Sequence, residues 1–251
     1  MRTCALLFVA LAASAQQKGV NFFSLEKEAE LGAKLAAEMA KIKTPTTHPE
    51  VSDYVRRLAA ELMPAVPADA SGRHFPRYNI AVIIEDTTDT HGTHEPIVLA
   101  GGYIFVPESL LLAAKDEAEF AGMLVHAMVH ASERHATRLA TRQEIAQLAM
   151  KPLPNQSYGA VVMNASMLTF RREFETEADV LAVRLASVAG FDPSALARYI
   201  DRTQADETDK ALSAMPLRDA RVQKIGSAIA VLPTRSYSVS DEFLRMQQQL
   251  R

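Results

Sequence analysis

A segment with helical apolar spacing that carries two histidines one turn apart constrains this chain more than any other feature of its sequence. Asp116 and Glu119 form a D-x-x-E pattern, which is typical of a capping box at the start of a helix. His126 and His130 lie four residues apart in the helix that this pattern predicts, so both imidazoles share a face from which both can reach one metal ion. Taken alone the pair is weak evidence, because histidines at this spacing are more often solvated or packed in a core.

Two acidic residues in a later helix strengthen the hypothesis of a metal site. A helix is predicted from about Phe170 to Ala189, and it carries Glu175 and Asp179, again four apart on one face. A carboxylate from this helix could complete a His-His-Glu site and leave the fourth zinc position to water or substrate. Asp179 could then orient an imidazole N–H from outside the ligand set. A solvated acidic face stays open as the alternative, because the helix is amphipathic.

The rest of the chain predicts helices on either side of a small sheet. Further helices are predicted over Leu25 to Ile42, Pro49 to Leu62, Leu217 to Ala230 and Ser240 to Leu250, and Asp192 with Pro193 opens another. Residues 78–85 predict a strand, and residues 97–106 predict a strand, a Gly-Gly kink and a second strand. Residues 86–96 are expected to form a polar loop, and residues 152–158 a break between helices. This order indicates an α+β fold with a small, antiparallel-type sheet.

Composition and the first residues bear on the domain count and the compartment. The chain has 251 residues, 48% of them hydrophobic, which is compatible with one domain, and its net charge of −3 without a basic run argues against nucleic acid. Arg2, the apolar run from Ala5 to Ala13 and the small residues up to Ala15 predict a signal peptide over 1–15 and a single domain over 16–251. A short buried segment or a membrane anchor is the alternative. No later stretch reaches the ~18 apolar residues of a membrane helix. We therefore expect an exported protein, periplasmic or extracellular, without a membrane span after signal removal.

Several blocks of the sequence resemble those of one known family. The blocks are Glu28 to Gly32, Gly101 to Val106, Glu117 to His135, Glu175 to Asp179, Gly190 to Pro193, and Pro216 with Arg221. They are similar to blocks of the gluzincin zinc metallopeptidases of the HtpX, BepA-like and CAAX-prenyl-endopeptidase group. Together they cover most of the chain from Asn21 onward.

The resemblance implies a mostly helical zincin-like metallopeptidase domain with a small sheet whose edge strand flanks the active-site helix. It implies that His126, His130 and Glu175 bind one Zn²⁺ ion and that Asp179 supports them from outside the ligand set. His135 matches a family position outside the metal shell, so its expected role is structural.

The resemblance also assigns residues to the substrate. An extended peptide or an unfolded protein segment would add as a strand to the edge strand and contact Gly102, Tyr103, Ile104 and Phe105. Arg221 either stabilises an oxyanion or holds a structural carboxylate, and the second alternative is slightly favoured.

The chain departs from the family's pattern at the residue that hydrolysis needs most. The family has His-Glu-x-x-His, whereas this chain has Ala127 in place of the glutamate that moves a proton from water to the leaving amine. A positioned general base contributes about 10²–10⁴ in rate. Glu133 lies about 10 Å along the helix axis from the first histidine. Glu177 points to the opposite side of its helix from Glu175, so we expect neither carboxylate to replace the base. Three further departures are Ala100, Val129 and Met215.

Three functions are compatible with this pattern. The first is a zinc-binding pseudopeptidase that binds peptides or acts in protein quality control. The second is an active zinc metalloendopeptidase with weak or unusual catalysis, and the third is a metal-free scaffold domain. Retention of the three ligands favours the first two over the third, and loss of the base favours the first over the second.

Overall fold

Helices dominate this computed structural model, which describes residues 20–66, 78–84, 92–150, 156–205, 213–233, 237 and 240–251. The helices of the described part are α1 (Leu25–Ile42), α2 (Pro49–Leu62), α3 (Glu108–Ala113), α4 (Glu117–Ser132), α5 (His135–Met150), α6 (Gln156–Ala189), α7 (Ala195–Thr203), α8 (Arg218–Ile229) and α9 (Asp241–Gln249). The predicted helices are confirmed within these residues, and α3 is an addition to them. The predicted signal peptide lies outside the described residues. In the described part, no helix combines the length and apolar character needed to cross a membrane.

Side-chain caps explain where several helices begin. Ser24 Oγ accepts a hydrogen bond from the backbone N–H of Lys27 at the start of α1. Asp116 Oδ1 accepts from the backbone N–H of Glu119 at 2.8 Å, as the D-x-x-E pattern before α4 predicts. These two starts are local features, and the sequence therefore predicts them well. α7 begins later than predicted: Asp192 accepts from the backbone N–H of Ser194 in the preceding turn, but the helix starts at Ala195, and its N-cap Ser194 makes no side-chain cap hydrogen bond.

Two boundaries of the helices around the histidines also differ from the prediction. α4 ends at Ser132, and Arg134 adopts a φ of 58°, so the chain turns before α5 begins at His135. α6 begins at Gln156, well before Phe170, so residues 156–158 of the predicted break are helical. The earlier part of that break lies outside the described residues.

The sheet has four strands in the described part of the chain. They are β1 (Thr44–Pro45), β2 (Asn79–Ile84), β3 (Ile97–Leu99) and β4 (Tyr103–Pro107), in the order β1-β2-β4-β3. β1 and β3 are antiparallel to their neighbours, but β2 and β4 are parallel, with Ile80 opposite Ile104. The sheet is therefore mixed: the prediction of an antiparallel-type sheet holds for the two outer pairs and is wrong for the central pair of β2 with β4. Along the sequence, the outer strand β3 comes before β4. The turn after β3 brings the chain back between β3 and β2, so β4 runs parallel to β2.

The edge strand is β3, not the strand that the sequence assigns to substrate. Tyr103, Ile104 and Phe105 lie in β4, which pairs with β2 on one side and β3 on the other, and Gly102 lies in the turn before it. A strand paired on both sides has its backbone N–H and C=O groups committed to its neighbours, so strand addition at these residues is wrong. β3 packs beside α4, and among the described residues no strand pairs with its outer side. The prediction that an edge strand flanks the histidine helix is confirmed with β3 in that position.

Glycines occur both in the turn between β3 and β4 and on helix α1, which packs closely against that turn. Gly101 and Gly102 have φ of 73° and 81°, in the left-handed region that glycine adopts without strain. α1 crosses this turn at Gly32, where a Cβ atom would lie 2.0 Å from the carbonyl oxygen of Ala100. The absence of a side chain at Gly32 therefore lets α1 rest directly on the turn that sends β4 back into the sheet.

α4 runs through the hydrophobic core rather than along the surface. Every residue from Glu119 to Val129 is buried. The Phe120 ring stacks on Phe243 and Tyr54, with centroids 5.9 and 6.3 Å away. The position of the two histidines is therefore set by packing around the helix that carries them.

Candidate metal centre

The three predicted ligands come together where α4 packs against α6. His126 Nε2 and His130 Nε2 are 3.0 Å apart, and Glu175 Oε2 lies 3.3 Å from the first and 3.4 Å from the second. His126 is buried, while His130 and Glu175 are partly exposed. Helical spacing places each histidine one turn from the other, and the α4–α6 contact supplies the carboxylate.

These distances fit a tetrahedral cation. Zinc bonds of 2.0–2.1 Å to nitrogen and oxygen place neighbouring ligand atoms of a tetrahedron roughly 3.3 Å apart. Two imidazoles and a carboxylate are a donor set that zinc prefers. Glu175 Oε2 is buried and makes no well-aligned hydrogen bond among the described residues, so its lone pairs point at the space between the histidines. The residues present therefore fit one zinc ion.

Electrostatics tie the ligand carboxylate to the histidines. Burial by itself would raise the pKa of Glu175, but the imidazoles of His130 and His126 outweigh it and hold the pKa well below its usual range. Burial would likewise lower the pKa of His126, but the carboxylates of Asp179 and Glu175 reverse that effect and raise the pKa to about 10. In the metal-free protein, His126 is thus a cation between two carboxylates, and a metal ion would take the place of its proton.

Asp179 and Arg221 form a buried pair behind His126. Asp179 Oδ1 lies 3.0 Å from His126 Nδ1, and both carboxylate oxygens accept hydrogen bonds from Arg221 at 2.8 Å. The guanidinium also donates to Glu95 Oε1 at 3.0 Å and to Gln204 Oε1 at 3.1 Å. Burial opposes ionisation of Asp179, but Arg221, followed by His126, lowers its pKa. This geometry favours the structural role for Arg221 over the oxyanion role, because its nitrogens are committed to protein acceptors.

A cavity of about 190 Å³ opens in front of the metal ligands. Its lining residues are Glu95, Pro96, Val98, His126, Ala127, His130 and Glu175. Ala127 is 1% exposed and contributes a methyl group where the family pattern has a carboxylate. Val98 belongs to the edge strand β3, so the cavity lies between that edge and α4.

Glu95 lines the cavity, although no pattern in the sequence predicts it as a site residue. It lies just before β3, in the stretch expected to be a polar loop, and one of its oxygens accepts from Arg221. The Arg221 contact involves one of its two carboxylate oxygens, Oε1. No helical spacing connects Glu95 with the histidines. The position of Glu95 immediately before strand β3, which packs beside α4, is the feature that could have indicated it.

Two carboxylates considered as substitutes for the general base, and two residues that depart from the family pattern, lie away from the cavity. Glu133 and Val129 are buried, and neither lines it. Glu177 Oε2 contacts His135 Nε2 and Arg138, on the side of α6 away from the cavity, as expected. Met215 is buried and does not line the cavity either, which agrees with an apolar packing role.

His135 lies outside the ligand group, in agreement with its predicted structural position. Its ring stacks on Phe174, with centroids 4.4 Å apart and planes at 9°. Burial is the main reason that the pKa of His135 falls to about 4, and the ring is therefore neutral. For Glu177, burial opposes ionisation, but the contacts with His135 and Arg138 lower the pKa to about 2.

The fold and the site define a metallopeptidase domain of the zincin type, in which a histidine helix, a carboxylate helix and an edge strand surround one cavity. Residues 45–229 match Peptidase family M48, and the chain belongs to that family. The family is zinc-dependent.

Two relatives indicate the range of this similarity. The chain is 30% identical over 192 residues to the mitochondrial metalloendopeptidase OMA1 of Schizosaccharomyces pombe, covering 72% of this chain and 53% of the relative. It is 29% identical over 133 residues to a candidate β-barrel assembly-enhancing protease of Vibrio cholerae, covering 47% of this chain and 27% of the relative. The aligned part thus spans about half of the first relative and about a quarter of the second.

Proposed function

We propose that this protein binds one zinc ion and captures an extended peptide or an unfolded protein segment, without hydrolysing it by the route of its family. The observation that carries the proposal is a complete His-His-Glu ligand set facing a cavity in which Ala127 replaces the base. The ligands support metal binding, and the alanine removes the group that would move the proton during hydrolysis.

The residues around the cavity have distinct roles in this proposal. His126, His130 and Glu175 hold the ion, which supplies Lewis-acid polarisation of a carbonyl group when bound. Asp179, held by Arg221, keeps the His126 ring in place from behind. The methyl group of Ala127 neither accepts nor donates a proton, so a peptide bond next to it lacks an acid–base partner from α4.

Peptide capture would use the open side of β3. Within the described residues, no strand pairs with the side of β3 that points away from β4, and a peptide would add as a strand on that side. Val98, in the middle of β3, also lines the cavity, so a peptide along this edge passes in front of the ligands. This arrangement replaces the predicted contact with β4.

Zinc content and peptide cleavage test the proposal together. The purified protein is expected to contain one zinc per chain and to show no chelator-sensitive cleavage of casein. Ala127→Glu is expected to cleave casein about 10²-fold or more above the background rate of the unaltered protein, whereas Ala127→Gln, which matches the glutamate in size, is expected to stay at that background. Chelator-sensitive cleavage by the unaltered protein would contradict the proposal, and absence of zinc near neutral pH would favour the metal-free scaffold.

The position of Glu95 supports a second candidate, an active metalloendopeptidase with unusual catalysis. Glu95 is a carboxylate in the same cavity, and the Arg221 contact leaves one of its oxygens for another partner. If the unaltered protein cleaves casein, Glu95→Gln should abolish the cleavage, and Glu30→Gln, on the exposed face of α1, should not. Cleavage that survives Glu95→Gln would exclude Glu95 as its base.

We also infer export to the periplasm or the extracellular space. The inference rests on the signal-peptide pattern of residues 1–15 and on the similarity to the Vibrio cholerae protein. Mass spectrometry of the mature protein should find its first residue at Gln16. An intact N-terminus on the protein purified from cells would contradict this.

A further inference from the structure

His135 lies directly behind the second metal ligand. Its Nδ1 atom is 3.1 Å from Nδ1 of His130, and its Nε2 atom is 3.2 Å from Glu177 Oε2. The same Glu177 oxygen accepts from Arg138 at 3.1 Å. The ring of His130 that faces the cavity is thus connected, through His135 and Glu177, to a buried guanidinium on α5.

Glu177 sets the direction of the hydrogen bonds that connect it with His135 and His130. Glu177, ion-paired with Arg138, can only accept, so the proton between Glu177 and His135 must lie on His135 Nε2. A His130 ring that binds a cation through Nε2 keeps its proton on Nδ1. The two Nδ1 atoms lie 3.1 Å apart, so the His135 nitrogen must be the acceptor, because two N–H groups would otherwise face each other. His130 therefore carries its proton on Nδ1 and keeps the Nε2 lone pair for the cavity.

We propose that His135 is a positioning residue that, together with Glu177, holds His130 in the tautomer and orientation that a cation requires. The inference rests on the zinc site proposed above. It gives the two ligands separate supports: Asp179 stands behind His126, and the His135–Glu177 pair stands behind His130. Such partners typically change metal affinity about 10- to 100-fold when they are removed.

A packing role is the competing explanation, since His135 is 4% exposed and stacks on Phe174. Two substitutions separate the explanations. His135→Phe keeps a ring against Phe174 and removes the acceptor. His135→Asn keeps an acceptor atom at the place of Nδ1 and removes the ring. If His135 positions His130, the phenylalanine variant should lose more zinc affinity than the asparagine variant, although it retains more of the packing.

The experiment measures zinc dissociation constants by competition with a chromophoric chelator, and unfolding midpoints of the same proteins with chelator present. We expect His135→Phe to weaken zinc binding roughly 10- to 100-fold and His135→Asn to lie within a fewfold of the unaltered protein. His48→Phe, at the start of α2, controls for loss of a histidine far from the site and should leave the constant unchanged. Unchanged affinity in His135→Phe, or affinity losses that rank the two variants as their unfolding midpoints do, would overturn the inference.

A second readout in metal-free protein keeps this test independent of zinc. Nitrogen-15 shifts of His130 should report the Nδ1–H tautomer in the unaltered protein and loss of that preference in His135→Phe. An Nε2–H tautomer in the unaltered protein would overturn the inference. If the protein bound no zinc, the proposed function would fail, while the tautomer of His130 would still decide the role of His135.

Discussion

Replacement of Arg221 by methionine tests whether the buried pair behind the site holds this part of the fold together. Arg221 is 1% exposed and Asp179 is fully buried, and the two share a bidentate contact. Methionine approximates the aliphatic stem of arginine, so Arg221→Met removes the charge with little loss of packing volume. The carboxylate of Asp179 would then lie in the interior with only the His126 imidazole beside it.

The expected loss of stability follows from the burial of both partners. Removal of one member of a buried ion pair destabilises a protein by about 3–5 kcal/mol, because the other charge is left uncompensated. His126 retains part of the compensation, so we expect the lower half of this range, about 3–4 kcal/mol. In a domain of this size each kcal/mol shifts the melting temperature by about 2–4 °C. Arg221→Met should therefore melt roughly 6–16 °C below the unaltered protein.

Thermal and urea unfolding with chelator present would measure this effect apart from metal binding. Arg218→Met is the matched control, since Arg218 lies on the same helix but is 29% exposed and pairs with Asp219, which is itself 88% exposed. Exposed pairs contribute at most about 1 kcal/mol, so the control should remain near the unaltered protein. Adding Asp179→Asn to Arg221→Met removes the stranded charge and should recover part of the lost stability. A loss of stability in Arg221→Met no larger than that in Arg218→Met, or no recovery of stability on adding Asp179→Asn, would contradict the role of the buried pair.

Three further predictions concern the turn beneath α1, the start of α4 and the proton that zinc displaces. Gly32→Ala should lower stability by about 1–3 kcal/mol in urea unfolding, because its Cβ would meet the Ala100 carbonyl. Gly226→Ala, on α8 with open space around it, should be neutral or stabilising, and equal effects of the two would contradict the packing argument. Asp116→Ala should lower stability by about 1 kcal/mol through loss of the N-cap, while Asp116→Asn should retain most of it. The pKa of His126 in the metal-free protein is raised to about 10, so its proton must leave before the ring binds zinc. Zinc affinity should then keep rising between pH 7 and 9, at up to about tenfold per pH unit, and calorimetry in two buffers should detect proton release. An affinity that is flat over this range would show that His126 is already neutral.

Much of the fold could be predicted because its signals are local. The N-cap of α4, the apolar spacing of α2 and the glycines of the turn between β3 and β4 each occur within a few residues of the structure that they specify. The pairing of β2 with β4 could not be predicted in the same way. It joins residues 24 positions apart, such as Ile80 and Ile104, and no short pattern states whether β3 or β4 forms the edge.

The residues of the candidate site likewise fall into those with a local sequence signal and those placed by packing. Helical spacing identified His126, His130, Glu175 and Asp179, because each pair lies one turn apart on its own helix. Glu95 and the contact between His130 and His135 depend on where a loop and a helix turn are placed by packing. His135 follows Arg134, whose left-handed conformation redirects the chain, so its distance from His130 cannot be counted along a helix.

The groups that contact the Nδ1 atoms of the two histidines and the cavity that Ala127 lines lie on opposite sides of the two rings. Asp179 and His135 contact the Nδ1 atoms from behind, where the groups are buried and paired. Ala127 faces the cavity in front, and its methyl group contributes to neither of those contacts. An alanine at this position therefore leaves the contacts behind the two histidines undisturbed. For the same reason, metal affinity should respond to substitutions behind the histidines, and cleavage to substitutions in the cavity.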